Sequence, residues 1–316
     1  MTRPGMAEAR PDTPKKYTCA CGLSQEDRKS KFSDYLYKSD VLEMFGETHA
    51  LCTPAILFTS SSNGRLGNNM GEYATLWGLG RTFNVSVLLH PVMERRLRRI
   101  FPGLSMERLP ASCASGWTKL DKTYKFPKNQ DLFDSAAAGL LGPGKFMLGD
   151  NPVKVHLFHP FREDLLRELT FSPGLRKQAR DILTKVKSKV KNQPPEITFV
   201  GVHIRRTDYI NYIKKYNTTI PGKDYYTSEQ WNITAKIQSP RLHHGCQMIL
   251  RNRELDMATL ASCNHSIISV GSFSFWCGYL SGGEVVYPKK TYSMKYLLNP
   301  DYVEKNHLDF FTPIDD

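Results

Sequence analysis

The sequence feature that most constrains the fold is a strand-like run followed by a glycine-containing turn and a helical pattern. Residues 55–59 are apolar, and residues 60–68 form a polar turn that holds two glycines. From Met70 onward, apolar residues recur at intervals of three and four, which is typical of a helix. Residues 85–89 are again strand-like. This order predicts the βαβ opening of an α/β domain.

A second unit of the same kind is predicted after Pro194 and Pro195, because two prolines end the helix expected over 174–191. The run 197–204 is the most strand-like in the chain. Between the two units, residues 135–144 are rich in small side chains and are interpreted as a loop. Further helices are expected over 161–171, 254–262 and 272–280, and further strands over 266–270 and 284–287.

The predicted organisation therefore has three parts. Residues 1–53 are polar, lack a clear period and are interpreted as an N-terminal tail. An N-terminal α/β domain is predicted over 54–193 and a C-terminal α/β domain over 194–316. Two domains of ordinary size suit a chain of 316 residues.

Composition excludes some classes of protein and leaves others open. A hydrophobic content of 40% is too high for a disordered chain. The formal net charge of +12 is compatible with a nucleic acid, an anionic lipid surface or a nucleotide as partner, and equally with a solvated basic face. No apolar run approaches the ~18–20 residues of a membrane-spanning helix. No signal-peptide pattern is visible.

Four polar residues lie at the end of the strand predicted over 197–204 or just beyond it. They are His203, Arg205, Arg206 and Asp208. Open α/β sheets bind ligands beyond the carboxyl ends of their strands. Paired arginines there suit a diphosphate, since each guanidinium makes bidentate contacts to phosphate oxygens. A salt bridge from either arginine to Asp208 is the alternative interpretation.

Two glycine-containing turns could complete an anion site. Gly271 leads into a predicted helix with Ser272 as a candidate N-cap and Phe273 next to it, and an exposed helix N-terminus binds anions. An ordinary capped helix is the alternative. The turn after the first strand offers close backbone approach to a ligand, and Glu72 one helical turn later is a candidate acid or base. The residues of that turn are Gly64, Arg65, Gly67 and Asn68.

Metal chemistry has little support in the sequence. No Asp-x-Asp motif is present to hold Mg²⁺ or Mn²⁺ against a diphosphate. His156 and His159 are expected to lack nearby cysteine or carboxylate partners and to be core or surface histidines rather than ligands. Four N-glycosylation sequons weakly favour a secretory location. They lie at Asn84, Asn217, Asn232 and Asn264.

Three segments together carry a family resemblance. Residues 64–76, 200–209 and 256–273 resemble, in the same order, the motifs of the galactoside α-1,2-fucosyltransferases of glycosyltransferase family 11. The resemblance covers about residues 55–298. It implies a GT-B-like architecture with two Rossmann-like domains, the first on the acceptor side and the second binding GDP-fucose. It also implies an inverting, metal-independent transfer of L-fucose to the 2-hydroxyl of terminal galactose on glycans.

The resemblance implies roles for single residues. Arg205 and Arg206 would hold the GDP diphosphate, and His203 would line the donor site. Ser272 and its turn would cradle phosphate, and Asn68 would lie at the cleft between the domains. The proton acceptor for the incoming hydroxyl stays open between Asp208 and Glu72.

Two departures from the family are visible. The segment 210–255 is short, so the second domain is expected to lack a βα unit. Family members are Golgi type II membrane proteins, whereas this sequence displays no anchor, so a missing anchor is expected. The alternatives are a fucosyltransferase with another acceptor and an inactive GDP-sugar- or glycan-binding remnant. A nucleic-acid-binding protein is the least supported class, because no nucleic-acid motif accompanies the basic clusters.

Overall fold

The first sheet is built from the βαβ pattern that opens the chain. The computed structural model describes residues 56–113, 115–189, 197–205, 221–227, 252–289 and 297–315. Within them, this sheet has the order β2-β1-β4-β3, with all neighbouring strands parallel. Its elements in chain order are β1 (Ile56–Ser60), α1 (Leu66–Phe83), β2 (Ser86–Val87), α2 (Pro91–Leu97), β3 (Thr118–Leu120), α3 (Leu132–Ala137) and β4 (Gly144–Leu148).

Helix α1 is buried on nearly all sides over its first fourteen residues, which explains why its sequence is apolar or small almost throughout. It begins without a side-chain cap after Arg65 and ends at Asn84, whose φ of +55° is the left-handed conformation that asparagine tolerates. Three helices follow the last strand of the first sheet in the chain. They are α4 (Val155–Phe158), α5 (Arg162–Glu168) and α6 (Pro173–Lys187).

The second sheet has the order β5-β6-β7-β8 and is also wholly parallel in the described residues. Helix α8 packs against β5, where a Cβ at Gly201 would lie 2.9 Å from Leu260. The elements are β5 (Val200–His203), α7 (Lys223–Thr227), α8 (Arg253–Ala261), β6 (His265–Ile268), α9 (Ser272–Ser281), β7 (Val285–Pro288), α10 (Pro300–Lys305) and β8 (Phe311–Ile314).

One hydrophobic core joins the two sheets, and all described residues belong to one compact unit. Trp276 of α9 stacks on Phe158 of α4 with ring centroids 5.6 Å apart, and both side chains are fully buried. The Tyr302 hydroxyl in α10 donates to the Val153 carbonyl and accepts from the Val155 amide. The C-terminal part of the chain is thus packed against the first sheet's helices.

The predicted fold class, α/β with parallel sheets, is confirmed. The loop expected over 135–144 is wrong at both ends, because α3 occupies residues up to Ala137 and β4 begins at Gly144. Helix α3 is only six residues long, so its periodicity is too short to detect. Its N-cap is Asp131, whose carboxylate accepts from the amides of the first turn. Strands β3, β4 and β8 and helices α2, α4, α7 and α10 were not predicted either.

Several expectations fall on residues outside those described. They include the tail over 1–53, the domain boundary between 193 and 194, and most of the short segment 210–255, so these stay predictions. Among the described residues, no helix is long and apolar enough to cross a membrane.

Candidate functional site

The carboxyl ends of β5 and β6 bring the predicted donor-site residues next to helix α9. His203 ends β5, and the Arg205 amide donates to the Ser269 hydroxyl at 3.0 Å just beyond β6. His203 Nδ1 lies 2.7 Å from the Ser274 hydroxyl in the first turn of α9. The parallel register, which pairs His203 with Ile268, places both strand ends at one edge of the sheet. This is the position at which open α/β sheets bind ligands.

His203 is held as a neutral imidazole with a defined tautomer. The Ser274 hydroxyl donates its one proton to the Val270 carbonyl at 3.0 Å, so Nδ1 must carry the ring proton and donate to Ser274. Nε2 is then an acceptor. Burial, with a smaller contribution from the charge of Arg205, lowers the pKa of His203 to about 4. At neutral pH the ring therefore offers a lone pair and no charge.

The first turn of α9 differs from the expected one. Ser272 is not the N-cap: Gly271 occupies that position with a φ of +98°, and no side chain caps the helix. The Ser272 hydroxyl instead donates to Asn68 Oδ1 at 2.5 Å. A φ of this sign favours glycine, which explains the residue before the helix. No side chain hydrogen-bonds to the amide groups of this helix start, and its positive dipole end favours an anion.

The glycine-containing turn before α1 lies directly against this helix start. A Cβ at Gly67 would lie 2.5 Å from the backbone nitrogen of Phe273, so only glycine permits this approach. Trp276 Nε1 donates to the Gly67 carbonyl at 3.1 Å. We call this contact of residues 64–68 with residues 271–276 the inter-sheet junction. It places the Asn68 side chain between the two sheets, and the Phe273 ring packs 5.0 Å from that of His203.

Glu72 lies beneath the turn rather than on the surface of the inter-sheet junction, and it has no exposed surface. Its Oε2 accepts from the Ser62 amide at 3.0 Å. The Asn151 amide, oriented with its nitrogen toward the Asn63 carbonyl at 2.8 Å, donates to Glu72 Oε1 at 2.9 Å. Burial raises the pKa of Glu72 to about 7 even though hydrogen bonds from Ser60 and Ser62 act in the opposite direction. Glu72 thus holds the turn in place.

Arg96 also belongs to the site, although the sequence motifs did not indicate it. Its guanidinium donates to the carbonyls of Ser62 at 3.2 Å and Gly64 at 3.3 Å and to Asn69 Oδ1 at 3.1 Å. The sequence does contain a basic cluster over residues 94–99, at the end of α2. Sequence alone could not connect that cluster with a turn about thirty residues earlier, which the tertiary structure does.

A cluster of possible metal ligands lies in α3 and α4. Atoms of Asp131, Asp134 and His156 lie within 4.8 Å of one another. The expectation that His156 has no carboxylate partner is therefore wrong, since Nε2 lies 2.9 Å from Asp134 Oδ2. The two residues are far apart in the chain and meet only through packing. Lys154 already pairs with Asp131, which also caps α3. Asp134 Oδ1, by contrast, is buried and has no hydrogen-bond partner among the described residues.

The remaining predicted residues are distributed as follows. Gly64 has a φ of +83°, and a Cβ there would collide with the Asn68 side chain, so its conformation requires glycine. Arg65 occupies the N-cap position of α1. Both described sequon asparagines, Asn84 and Asn264, are exposed. Arg206, Asp208, Asn217 and Asn232 lie outside the described residues.

Two wholly parallel sheets, joined at the inter-sheet junction, make this an α/β protein with a candidate anion site beyond its strand ends. The chain belongs to glycosyl transferase family 11, whose family model matches residues 32–241 and 251–299. The family predicted from the three motifs is therefore confirmed.

Several similar proteins are named as fucosyltransferases. Galactoside alpha-(1,2)-fucosyltransferase 1 of Pan troglodytes is 29% identical over an alignment of 256 positions, and the match covers 73% of this chain and 67% of the relative. The enzymes of the same name from Homo sapiens, at 28%, and Sus scrofa, at 29%, have the same coverage. A solved structure of a mutant of Arabidopsis thaliana FUT1 in complex with GDP is 11% identical. The match covers 86% of this chain and 76% of that chain with a TM-score of 0.41.

Proposed function

We propose that this protein transfers L-fucose from GDP-β-L-fucose to the 2-hydroxyl of a terminal galactose on glycans, with inversion at the anomeric carbon. The observation that carries the proposal is the convergence at one sheet edge of His203, Arg205 and the uncapped start of α9. Family membership supports the transferase reaction, and the names of the relatives support fucose as the sugar and galactose as its acceptor.

The donor diphosphate is proposed to lie across the start of α9. Amide groups of the first turn and the helix dipole favour negative charge there. Arg205, whose backbone is held by Ser269, supplies a permanent positive charge, and Arg206 is proposed to supply a second. Negative charge grows on departing GDP as the fucose carbon becomes cationic. Fixed donors and positive charges at this position would therefore stabilise the transition state.

Proton transfer from the acceptor hydroxyl needs a base. Asp208 and Glu72 are the proposed candidates. Because the Glu72 side chain has no exposed surface, it could act directly only after the turn at residues 62–64 moves. Asp208 is for this reason the first to test. His203 is proposed to accept a hydrogen bond from a donor hydroxyl through Nε2 and thereby to orient the sugar nucleotide.

The reaction is proposed to need no metal ion, with arginine and amide groups in its place. In the decisive experiment, purified protein is incubated with GDP-fucose and lactose-type acceptors in the presence of EDTA. The linkage of the product is then determined. Transfer to the galactose 2-hydroxyl is expected. If the activity disappears in EDTA and returns when Mn²⁺ is added, the proposal that the reaction needs no metal ion is wrong.

Two variants test the donor site. Arg205→Ala is expected to weaken GDP binding by about 1.5–3 kcal/mol, the range of a charged hydrogen bond. Arg180→Ala removes an exposed arginine on α6 and is the matched control, with unchanged GDP affinity expected. If calorimetry gives the same GDP affinity for Arg205→Ala and for the wild type, the proposed GDP-binding site is wrong.

Two other functions are separated by the same assay. A product with fucose on another hydroxyl or another sugar identifies a fucosyltransferase with a different acceptor. GDP binding without transfer identifies the non-catalytic remnant, which the short segment 210–255 favours. No binding of GDP at all contradicts both the enzyme and the remnant.

A Golgi-lumenal location is part of the proposal. Asn84 is exposed at the end of α1, whereas Asn264 Oδ1 accepts from the Phe199 amide at 2.8 Å and its sequon Ser266 is buried in β6. Secretory expression is therefore expected to place a glycan on Asn84. A mobility shift on glycosidase treatment that is unchanged in Asn84→Gln would show that this site is not used.

A further inference from the structure

Three side chains with metal-binding atoms converge between α3 and α4, and none of them belongs to the inter-sheet junction. Asp131 is the N-cap of α3, Asp134 lies in the first turn of that helix, and His156 lies in α4. Each residue offers one ligand atom, and the three atoms lie within 4.8 Å of one another. We call these residues the α3–α4 cluster. The proposed transfer of fucose gives them no role.

We propose that the α3–α4 cluster binds one Zn²⁺ ion, which ties α3 to α4. The coordination is tetrahedral, with Nε2 of His156, one carboxylate oxygen each from Asp131 and Asp134, and one water molecule. An imidazole ligand disfavours Mg²⁺ and Ca²⁺, which prefer oxygen, and three protein ligands suit a four-coordinate ion. This site is independent of the proposed function and would stand if the protein catalysed another reaction.

The Asp134 carboxylate is the observation that points to a bound cation. Oδ2 lies 2.9 Å from His156 Nε2, whereas Oδ1 is buried and has no hydrogen-bond partner in the part of the chain that the structure describes. Burial raises the pKa of Asp134, although the hydrogen bond with His156 opposes this effect. A buried acceptor without a donor is rare and destabilising in a folded protein. A cation beside this carboxylate would stabilise its charge.

The spacing of the α3–α4 cluster needs only a small adjustment to hold zinc. Ligand atoms at about 2.0–2.2 Å from a tetrahedral Zn²⁺ lie about 3.3 Å from one another. The 2.9 Å between Nε2 and Oδ2 would open by about 0.4 Å, and the widest separation would close by about 1.5 Å at most. Zinc takes the Nε2 lone pair, so the ring proton of His156 resides on Nδ1. The His156 side chain is 31% exposed, which gives the ion a route from solvent.

The backbone that carries His156 is held in place by α10. The Tyr302 hydroxyl donates to the Val153 carbonyl at 3.0 Å and accepts from the Val155 amide at 3.1 Å. On the other side, Asp131 Oδ1 accepts from the Phe133 amide at 2.9 Å. The ligands therefore stand on backbone that is already fixed, and zinc binding requires mainly side-chain movement.

Lys154 is the side chain that zinc has to displace. Its ammonium pairs with Asp131 Oδ2 and also lies 5.2 Å from the centre of the Phe133 ring. The ring offers the ammonium a favourable contact after zinc has taken the carboxylate oxygen. Because Lys154 and His156 pair with the two carboxylates when no ion is bound, the protein is expected to fold without zinc. Fucose transfer in EDTA is therefore still expected.

Calorimetric titration of the whole chain with ZnCl₂, after EDTA treatment and dialysis, tests the site. The wild type is expected to bind one Zn²⁺ ion. Asp134→Asn and His156→Gln are each expected to weaken binding at least about tenfold, since even the loss of a group that only supports a ligand costs about 10–100-fold. Asp181→Asn is the matched control, because this carboxylate on α6 is 61% exposed, and its zinc affinity should equal that of the wild type.

Lys154→Met gives a result in the opposite direction. It removes the competing charge and is expected to tighten zinc binding up to about fivefold, the scale of an exposed ion pair. This variant and His156→Gln decide the question if circular dichroism shows that Asp134→Asn is not folded. Co²⁺ is expected to give the strong visible absorption of a tetrahedral site in the wild type and to lose it in His156→Gln.

The absence of zinc binding by the wild type would overturn the proposal. So would equal zinc affinity of the wild type, Asp134→Asn and His156→Gln, because the ion would then be bound by other residues. Mn²⁺ or Ca²⁺ binding as tight as that of Zn²⁺ would contradict a tetrahedral site with an imidazole ligand.

Discussion

Glu72 and His203 illustrate how burial sets the charge of single residues near the inter-sheet junction. Each side chain has hydrogen-bond partners on neighbouring loops, and desolvation dominates the pKa of each. For Glu72 the pKa rises to about 7, and for His203 it falls to about 4. Both groups are therefore biased toward their uncharged forms, and they affect stability in opposite pH directions.

Replacing Glu72 by glutamine is expected to remove a pH dependence of stability. Because the native pKa lies above the unfolded value of 4.5, the native state retains a proton that the unfolded state releases. The stabilisation is complete below pH 4.5 and is lost as the pH rises to about 7. The loss is up to about 3 kcal/mol, at ~1.4 kcal/mol per pH unit.

Urea unfolding of the wild type and Glu72→Gln at a series of pH values measures this difference. The variant's free energy of unfolding should change less between pH 4.5 and 7. Glu107→Gln, at an exposed position, should keep the wild-type profile. Parallel profiles for the wild type and Glu72→Gln would mean that Glu72 is ionised throughout this range.

Replacing His203 by glutamine is expected to protect the protein against acid. Its native pKa lies below the unfolded value of 6.5, so its contribution is present above pH 6.5 and is lost as the pH falls to about 4. Glutamine cannot take up that proton. Thermal unfolding at pH 7 and pH 5 should show a smaller drop in Tm for His203→Gln than for the wild type. An equal or larger drop would contradict the buried neutral ring.

At the scale of elements, the inter-sheet junction depends on the close approach of α1 and α9. Gly67→Ala is expected to destabilise the protein by about 1–3 kcal/mol, since overpacking forces the backbone apart, and to reduce GDP affinity as the start of α9 moves. Gly174→Ala is the matched control, because Gly174 also lies in a helix and has no atom within 4 Å of the added methyl group. Chemical unfolding and calorimetry with GDP measure both effects.

The two glycine substitutions should differ in sign. Gly174→Ala is expected to be neutral or to stabilise α6 by about 0.4–1 kcal/mol. If Gly67→Ala were as stable as Gly174→Ala and bound GDP normally, α1 and α9 would not be in the contact described.

Elements were predictable where their pattern was long or bounded by clear signals. The apolar run of β1, the helical spacing of α1 and the serine- and glycine-bounded α9 are confirmed, with boundaries shifted by a few residues. Helix α3 escaped prediction because six residues carry less than two turns of periodicity. The N-cap of α9 was misassigned because a serine hydroxyl can cap a helix or bind another element, and Asn68 is a partner that local sequence does not reveal.

At the scale of the whole described unit, the two sheets share one core rather than meeting at a thin polar interface. Phe158, fully buried, stacks on Trp276 and lies edge-to-face against Tyr279. Phe158→Ala is expected to cost about 3–5 kcal/mol, because it removes a large side chain from a site that cannot collapse. Far- and near-ultraviolet circular dichroism should still report one coincident transition for the wild type and the variant.

Leu140→Ala is the control, since this side chain is 42% exposed and its loss should change stability by no more than about 0.5 kcal/mol. Two separate transitions in Phe158→Ala, or a cost no larger than that of Leu140→Ala, would show that the sheets unfold independently.

The sequence by itself determined the fold class, the family and most of the residues at the inter-sheet junction. Periodicity, glycine placement and the residue order after β5 are local properties, and local properties can be read along a chain. The tertiary structure decided what depends on distant partners: the tautomer of His203 through Ser274, the burial of Glu72 and the carboxylates around His156. These follow from packing, because desolvation and hydrogen bonding act between atoms that are close in space and far apart in sequence.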